Sequence, residues 1–419
     1  MKKKYKISSF ILDSGERYYQ VVDYYSGLPE YYSNLFLTTQ VRNRSKASST
    51  LESAASHLVV LLRFLDRHNI VMEKRLLSGE FLREHELDAL CDFTQHRFRS
   101  ITLDTAPSPI FGFDEFDEVM AEPVQTGTQY ARLTTAAHYI GWLSRHLLSD
   151  PSRRDVDRID SLVKQIKERR PAKKGRTDDR LDKSLDEVQI SALFEVIRLG
   201  SDLNPFSKAL QRRNRVMILL LYHLGLRGGE LLKIRISDID IETNRITIVR
   251  RPDEMDDPRV DEPNAKTEGR ILPVADSLMR EVHDYITQDR RRVPNARRND
   301  FLFVIHKVGP TVGQPISKPS YYKVIAVVAD VAPQLYAVTG HMLRHTWNYK
   351  FSEHMDSMDE PSSTAQQEAC RSYLMGWKPG SGTATTYNER FTRRKGMEAG
   401  LALQKSCPIR QPAELKNDQ

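Results

Sequence analysis

Residues 339–346 read TGHMLRHT. On a helix, His341 and Arg344 lie three positions apart and therefore project from the same face. The imidazole can donate a hydrogen bond or a proton, and the guanidinium offers a planar fork that fits a phosphate. Further along, residues 385–388 read TTYN, and the hydroxyl of Tyr387 can attack phosphorus and hold it covalently. Together, His341, Arg344 and Tyr387 predict phosphoryl transfer, a reaction in which the protein mainly positions the reacting groups and neutralises charge.

A second stretch lies between these two: residues 374–377 read LMGW, and Tyr387 follows Trp377 by ten residues. The order His-x-x-Arg, Gly-Trp, Tyr resembles the tyrosine recombinases, also called the phage integrase family. The resemblance implies a chain that is mainly α with a small β-sheet, built as a two-domain DNA clamp. A helical core-binding domain would precede a mixed α/β catalytic domain. It also implies that one active site contains His341, Arg344, Trp377 and Tyr387.

Residues 225–240 read GLRGGELLKIRISDID and resemble the first catalytic-arginine box of the family. Gly225 can end one helix by accepting a left-handed backbone, and the next helix is predicted to start near Arg227 or Gly228. Arg227 then lies at a helix N-terminus, where anions are favoured. Glu230, three residues on, is placed to orient a guanidinium. Taken alone, the pattern is that of a surface arginine at a helix start; the resemblance implies that Arg227 is catalytic.

Residues 245–250 alternate like a strand, and residues 270–274 are the predicted partner strand. The family has a β-hairpin whose lysine protonates the leaving oxygen, and residues 265–274, AKTEGRILPV, are similar to it. The resemblance therefore implies this role for Lys266, although a lysine at a hairpin tip is usually just solvated. The turn over 252–263 is rich in acid and proline, and the sequence does not explain its role.

Apolar residues at helical spacing predict a helical unit that begins at Ser48 and continues through 79–99 and 126–148. Ser184 and Glu187 form a capping-box pattern that opens the next unit. With 419 residues the chain is long enough for two domains. The predicted organisation is an N-terminal arm (1–47), the helical core-binding domain (48–150), a basic linker (151–183), the catalytic domain (184–405) and a tail (406–419).

Composition narrows the class of protein. The apolar run 216–221 is too short to span a membrane and predicts a buried helix instead. Cys91, Cys370 and Cys407 are far apart and form no CxxC pair, which argues against a disulfide framework and fits a reducing cytoplasm. The start of the chain is basic but is not followed by an apolar signal region, so export is not expected.

His341 and His345 stand at i and i+4, a spacing that also occurs in zinc sites. The metalloprotease pattern needs Glu directly after the first histidine, and Met342 stands there. Arg344 between the imidazoles would repel a cation. We therefore predict no metal site and interpret His345 as a structural partner of the catalytic His341.

Two basic clusters are candidates for DNA contact in a chain of net charge +7 and pI near 9.1. A solvated surface or a solvated hinge explains each cluster equally well. Tyrosine doublets in the arm predict an N-terminal hairpin packed on the core, with stacking on bases as the alternative. The candidate DNA-binding residues are Arg42, Arg44 and Lys46 before the first long helix, and Lys173, Lys174 and Arg176 in the linker.

The resemblance implies a mechanism and partners. Arg227, Arg344 and Trp377 would hold the phosphate, and Tyr387 would form a 3′-phosphotyrosine. The implied partners are double-stranded DNA, a second copy on one site, four copies in the synaptic complex and accessory DNA-bending proteins, with no cofactor. The alternatives are a type IB topoisomerase, a non-catalytic DNA-binding regulator and, furthest from the pattern, a metal-dependent nuclease. The alternative to a nucleophilic Tyr387 is that this residue is an aromatic side chain packed inside the protein.

Overall fold

The structure, a computed structural model, describes residues 4–44, 48–99, 118–148, 150–172, 184–263, 267–358, 363–378 and 395–405. The chain divides into two compact units, Met1–Thr177 and Asp178–Gln419. The division falls inside the predicted basic linker 151–183. The finer boundaries of the arm, linker and tail stay a prediction.

The first unit combines two short hairpins with helices. Its elements are β1 (Tyr5–Ile11), β2 (Arg17–Asp23), α1 (Tyr31–Phe36) continued by a π-helix (Leu37–Arg42), α2 (Ser48–Arg67), α3 (Met72–Leu77), α4 (Glu84–Gln95), β3 (His96–Arg99), β4 (Glu118–Pro123), α5 (Thr126–Leu147) and α6 (Arg153–Glu168).

One hydrophobic core joins the elements of this unit. The predicted N-terminal hairpin is confirmed, since β1 and β2 pair antiparallel from Tyr5 opposite Asp23 onward. Tyr19 and Val21 of β2 share the core with the leucines of α2 and α5. The helical prediction over 79–99 is wrong at its end, because residues after Gln95 pair with β4 as a strand.

The second unit is helical around a small sheet. Its elements are α7 (Glu187–Val196), α8 (Lys208–Leu224), α9 (Gly228–Lys233), β5 (Ile239–Asp240), β6 (Arg245–Ile248), β7 (Arg270–Pro273), α10 (Asp276–Asp284), α11 (Lys318–Ala329), α12 (Gly340–Asp356), α13 (Thr364–Met375) and α14 (395–405), with short 3₁₀ and π turns between them.

The core of this unit forms around α8. Residues 216–221 are all at most 5% exposed, which confirms the buried helix that the apolar run predicts. β6 pairs antiparallel with β7, with Ile246 opposite Leu272, as the alternation predicts. The capping prediction at Ser184 is wrong: Asp186 caps α7 by accepting from Gln189 N at 2.7 Å. Leu185, which lies between Ser184 and Asp186, is buried in the core.

Across the described residues, no helix combines the length and the apolar character that crossing a membrane requires.

Candidate active site

Arg227 lies where α8 ends and α9 begins. Gly225 has φ +60° and ψ +27°, a left-handed conformation that ends α8. A Cβ at this position would lie 2.7 Å from Met375 Cε and 3.0 Å from Trp347 Cγ, so both the backbone conformation and the space favour glycine. Arg227 then takes an extended backbone as the N-cap of α9, as the sequence predicts. Its side chain remains 32% exposed.

Arg344 connects this turn to the end of α13. Its side chain is 0% exposed. Nη1 donates a hydrogen bond to the Gly225 carbonyl at 2.6 Å, and Nη2 donates to the Met375 carbonyl at 2.9 Å. One guanidinium thus connects three stretches that are far apart in the sequence: 225–240, 339–346 and 374–377.

Glu230 is the carboxylate at the centre of the site. It is 1% exposed and accepts from the backbone N–H of Arg227 at 2.8 Å. Its oxygens lie 3.7 Å from Arg344 Nη1 and 4.0 Å from Arg227 Nη1. The predicted orienting role of Glu230 therefore has a geometric basis, and it extends to both arginines.

Two further partners of Glu230 were not predicted from the sequence. Arg270 Nη1 and Nη2 donate to its two oxygens at 3.0 and 3.1 Å, and the Thr267 hydroxyl also donates to it. Strand alternation was the available signal, because it puts Arg270 on the same buried face as Leu272. A charged residue on an apolar face needs a partner.

These contacts set the pKa of the Glu230 carboxyl. Burial alone would raise this pKa, but the hydrogen bonds and charge of Arg270, followed by the charge of Arg344, lower it below its ordinary value of 4.5. Glu230 is therefore ionised at neutral pH. One negative charge faces three guanidinium groups, so this group of residues carries net positive charge.

Trp377 follows the left-handed Gly376 that ends α13. The residue is 5% exposed, and its ring lies 5.6 Å from the Arg344 guanidinium, in a cation–π arrangement. Met375 and Trp347 pack against it. Trp377 and Arg344, predicted to share a site, are thus brought together.

His341 and His345 lie in the first turns of α12. Thr339 caps this helix by accepting from Met342 N at 3.2 Å. His341 is exposed and His345 half-buried, and their rings meet edge to face with centroids 4.5 Å apart. This contact places His345 directly against the predicted catalytic histidine.

Tyr321 packs against the starts of both arginine-bearing helices. A Cβ on Gly228 would lie 2.8 Å from Tyr321 Cε1, and one on Gly340 would lie 1.9 Å from its hydroxyl oxygen. These two glycines allow α9 and α12 to begin on one buried ring. Burial raises the pKa of Tyr321 well above its ordinary value.

The acidic turn over 252–263 is partly neutralised by basic residues that pair with its carboxylates. Lys233 is 3% exposed, and its ammonium lies 2.7 Å from Glu254, 3.4 Å from Asp257 and within hydrogen-bonding distance of Glu262. Further pairs join Arg235 to Glu254 and Asp256, Arg259 to Asp257, and Lys318 to Asp261.

In the described part of the chain, Glu254, Asp257 and Glu262 are the only group of three or more residues arranged to hold a metal ion. The Lys233 ammonium already lies among these three carboxylates, and Arg235 and Arg259 supply two further positive charges to them.

Several predicted residues lie outside the described ranges. They are Lys266 and Tyr387 of the proposed chemistry, and Lys46, Lys173, Lys174 and Arg176 of the proposed DNA contacts.

Of the remaining DNA-contact candidates, Arg42 is held by Glu16 through two hydrogen bonds of 2.7 and 2.6 Å. Arg44 lines a cavity of about 520 Å³ in the first unit, together with His138, Trp142 and Lys167.

That cavity is basic. The pKa of His138 lies below its ordinary value of 6.5 because of burial, and because the charges of Lys167, Arg170 and Arg44 disfavour protonation. Arg145 also lines the cavity but pairs with Asp160.

A sequence model described as the phage integrase family matches residues 183–389. The matched stretch contains every predicted catalytic residue, from Arg227 to Tyr387. The chain contains a phage integrase family domain.

Among relatives in this phage integrase family, the chain is 26% identical to tyrosine recombinase XerD of Halalkalibacterium halodurans over 168 residues, 40% of this chain and 48% of that protein. It is 29% identical to tyrosine recombinase XerA of Pyrococcus furiosus over 175 residues, 42% and 48% of the two chains. The chain thus spans about half the length of these relatives. A crystal structure of XerH site-specific recombinase bound to palindromic difH is similar, with 14% identity, a TM-score of 0.49 and coverage of 88% of this chain and 93% of that one.

Proposed function

We propose that this protein is a site-specific DNA recombinase that cuts and rejoins strands through a 3′-phosphotyrosine intermediate. The observation that carries the proposal is the position of Glu230, whose buried carboxylate lies within 4.0 Å of both Arg227 and Arg344. Two guanidinium groups beside one carboxylate form a cationic site of the kind that binds a phosphodiester.

In the proposed reaction, Arg227, Arg344 and Trp377 hold the scissile phosphate and offset its developing charge. The Tyr387 oxygen attacks phosphorus, and its proton passes toward His341. The bond from phosphorus to the 5′ oxygen breaks, and Lys266 supplies the proton that this oxygen takes up.

A 5′ hydroxyl from the partner strand then attacks the phosphotyrosine and gives up its proton to Lys266. The bond from phosphorus to the Tyr387 oxygen breaks, that oxygen takes back the proton held by His341, and a phosphodiester is restored. The number of phosphoester bonds is conserved, so the cycle needs no nucleotide as an energy source, and we propose that it also proceeds without a metal. The phage integrase family domain supports this assignment of roles.

For DNA binding by the first unit, we favour Arg44 over Arg42. The two hydrogen bonds to Glu16 occupy the Arg42 guanidinium. Arg44 and Lys167 instead line the same cavity as His138, and the charges of both act on its imidazole, a combination that suits a phosphate backbone. Lys46, Lys173, Lys174 and Arg176 remain proposed contacts on the basis of sequence.

Assembly follows from the same resemblance. We propose that two copies bind one site and four form the synaptic complex, with accessory proteins that bend DNA. Helix α14 exposes Met397, Leu401 and Leu403 by 56 to 70%, and in the family a terminal helix packs between protomers.

The test is covalent trapping on nicked duplex DNA taken from the flanks of the gene. The wild-type protein should form an adduct that survives denaturation, maps to Tyr387 and forms equally well in excess EDTA. Tyr387→Phe should bind the same DNA with unchanged affinity and form no adduct.

A covalent band with Tyr387→Phe would refute the nucleophile, and binding without cleavage by the wild type would favour a regulator. Relaxation of supercoiled DNA of any sequence would favour a topoisomerase. Loss of the adduct in EDTA would refute metal independence.

A further inference from the structure

Arg270 binds two elements of the second unit at once. Its side chain is 1% exposed. Nη1 and Nη2 donate to the two Glu230 oxygens at 3.0 and 3.1 Å, and Nε donates to the Leu374 carbonyl at 2.7 Å. Since Glu230 belongs to α9 and Leu374 to α13, one guanidinium on β7 joins both helices.

The backbone of Gly376 also contacts Glu268 and Arg270. Glu268 N donates to the Gly376 carbonyl at 3.1 Å. Gly376 has φ +64°, and a Cβ there would lie 2.7 Å from Arg270 Nη1 and 2.9 Å from the Glu268 carbonyl oxygen. The guanidinium therefore packs directly on the backbone of Gly376. Because Trp377 is the next residue, its position is tied to the start of β7.

Glu230 connects Arg270 to Arg227 and Arg344, the two arginines that are candidates for phosphate binding. It accepts from Arg227 N at 2.8 Å and lies 3.7 Å from Arg344 Nη1. A displaced Glu230 would change where both guanidinium groups point. Misplacement of a reacting group by about 1 Å can cost about a hundredfold in rate.

We propose that Arg270 is a positioning residue for the reaction put forward above, and this inference rests on that proposed function. Arg270 clamps Glu230 against the end of α13 and thereby keeps Arg227 and Arg344 in register with Trp377 around one phosphate. It acts through Glu230 and Leu374 rather than on the phosphate itself. The planar fork is essential, because a lysine keeps the charge but cannot bond two carboxylate oxygens and a carbonyl in this geometry.

The test compares single-turnover formation of the covalent adduct on two substrates. One is the nicked duplex with the phosphodiester mapped by trapping; the other carries a methylphosphonate at that position. The methylphosphonate lacks the negative charge, so it depends less on correctly placed guanidinium groups. Arg270→Lys should be about a hundredfold slower than wild type on the phosphodiester, with unchanged Kd for the DNA. On the methylphosphonate the difference should fall below about tenfold.

Arg290→Lys is the matched control. Arg290 is 4% exposed, and its guanidinium binds the carbonyls of Phe301, Ala296 and Asn299 in the same unit. This variant should have a lower Tm but cleave at the wild-type rate below its unfolding transition.

If Arg270→Lys cleaves as fast as Arg290→Lys, or shows the same deficit on both substrates, the inference is overturned and the proposed function stands. A wild-type protein that forms no adduct on the phosphodiester overturns both.

Discussion

The guanidinium of Arg344 donates a 2.6 Å hydrogen bond to the carbonyl oxygen of Gly225. This bond joins the helix that carries the His-x-x-Arg box to the turn that presents Arg227. Gly225 accepts it while in a left-handed conformation in which a Cβ would be strained and would crowd Met375 and Trp347. Two distant boxes are thus connected through the backbone, and Arg344 supports the local structure as well as being a candidate for phosphate binding.

Arg344→Lys should therefore lose both stability and activity. The carbonyls of Gly225 and Met375 would no longer share one donor group, which should cost about 1–3 kcal/mol of unfolding free energy. Adduct formation should fall by about a hundredfold or more. Chemical denaturation and single-turnover cleavage measure the two effects.

Arg213→Lys is the control for Arg344→Lys, since Arg213 is 7% exposed and donates to the Val304 carbonyl at 3.1 Å. It should lower stability alone. Equal cleavage by Arg344→Lys and Arg213→Lys would contradict the assignment of Arg344.

Glu230→Gln should change how stability depends on pH. The pKa of Glu230 in the folded protein lies below 4.5, so the unfolded chain binds the proton more tightly. The stabilisation is therefore fully present above pH 4.5 and is lost as pH falls through the folded-state pKa. The gap in unfolding free energy between wild type and Glu230→Gln should narrow on acidification below pH 4.5. The exposed Glu242→Gln should leave the curve unchanged, and a gap constant with pH would count against this prediction.

Lys233→Met should unbalance the acidic turn. Removal of the Lys233 ammonium leaves Glu254, Asp257 and Glu262 close together without this cation. The free energy of unfolding should fall by about 3–5 kcal/mol. These carboxylates lie within 4.8 Å of one another, so Ca²⁺ should raise the Tm of the variant but not that of the wild type.

Thermal unfolding with and without Ca²⁺ measures the effect of Lys233→Met. Lys318→Met, which removes the partner of Asp261, is the control and should show no response to Ca²⁺. A Lys233→Met protein as stable as wild type would show that the ammonium is dispensable.

Gly340→Ala should be destabilising, and Tyr321→Phe should relieve it. The added Cβ would lie 1.9 Å from the Tyr321 hydroxyl oxygen but 3.1 Å from ring carbon Cζ. Overpacking of this kind costs about 1–3 kcal/mol, and most of the cost should vanish in the double variant. A double-mutant cycle on unfolding free energy measures this coupling. Additive effects of the two substitutions would mean that the clash is not with the hydroxyl.

Local patterns predicted the parts of this protein that depend on neighbours in sequence. The apolar run 216–221 fixes a buried helix, alternation fixes the pairing of β6 with β7, and Gly225 fixes the break before Arg227. The boundary of α7 was harder, because Ser184 and Asp186 both have capping side chains and only packing selects between them.

Contacts between distant residues could not be predicted in this way. Arg270 and Glu230 are 40 positions apart, and nothing in the periodicity of either segment specifies the other. Arg42 likewise has the appearance of a free basic residue until Glu16 of the hairpin is placed beside it. Both cases depend on the tertiary fold, which brings together charges that local sequence presents as independent.

The paired charges of residues 252–263 have a consequence for long-range attraction. Opposite charges a few ångströms apart produce a field that decays much faster with distance than that of a single charge, and salt screens what remains within about 8 Å at physiological ionic strength. An approaching polyanion therefore meets a weaker negative field from this acidic segment than its six carboxylates would produce without their partners. The speed of encounter, and its sensitivity to salt, should therefore be governed by unpaired lysines and arginines elsewhere on the surface.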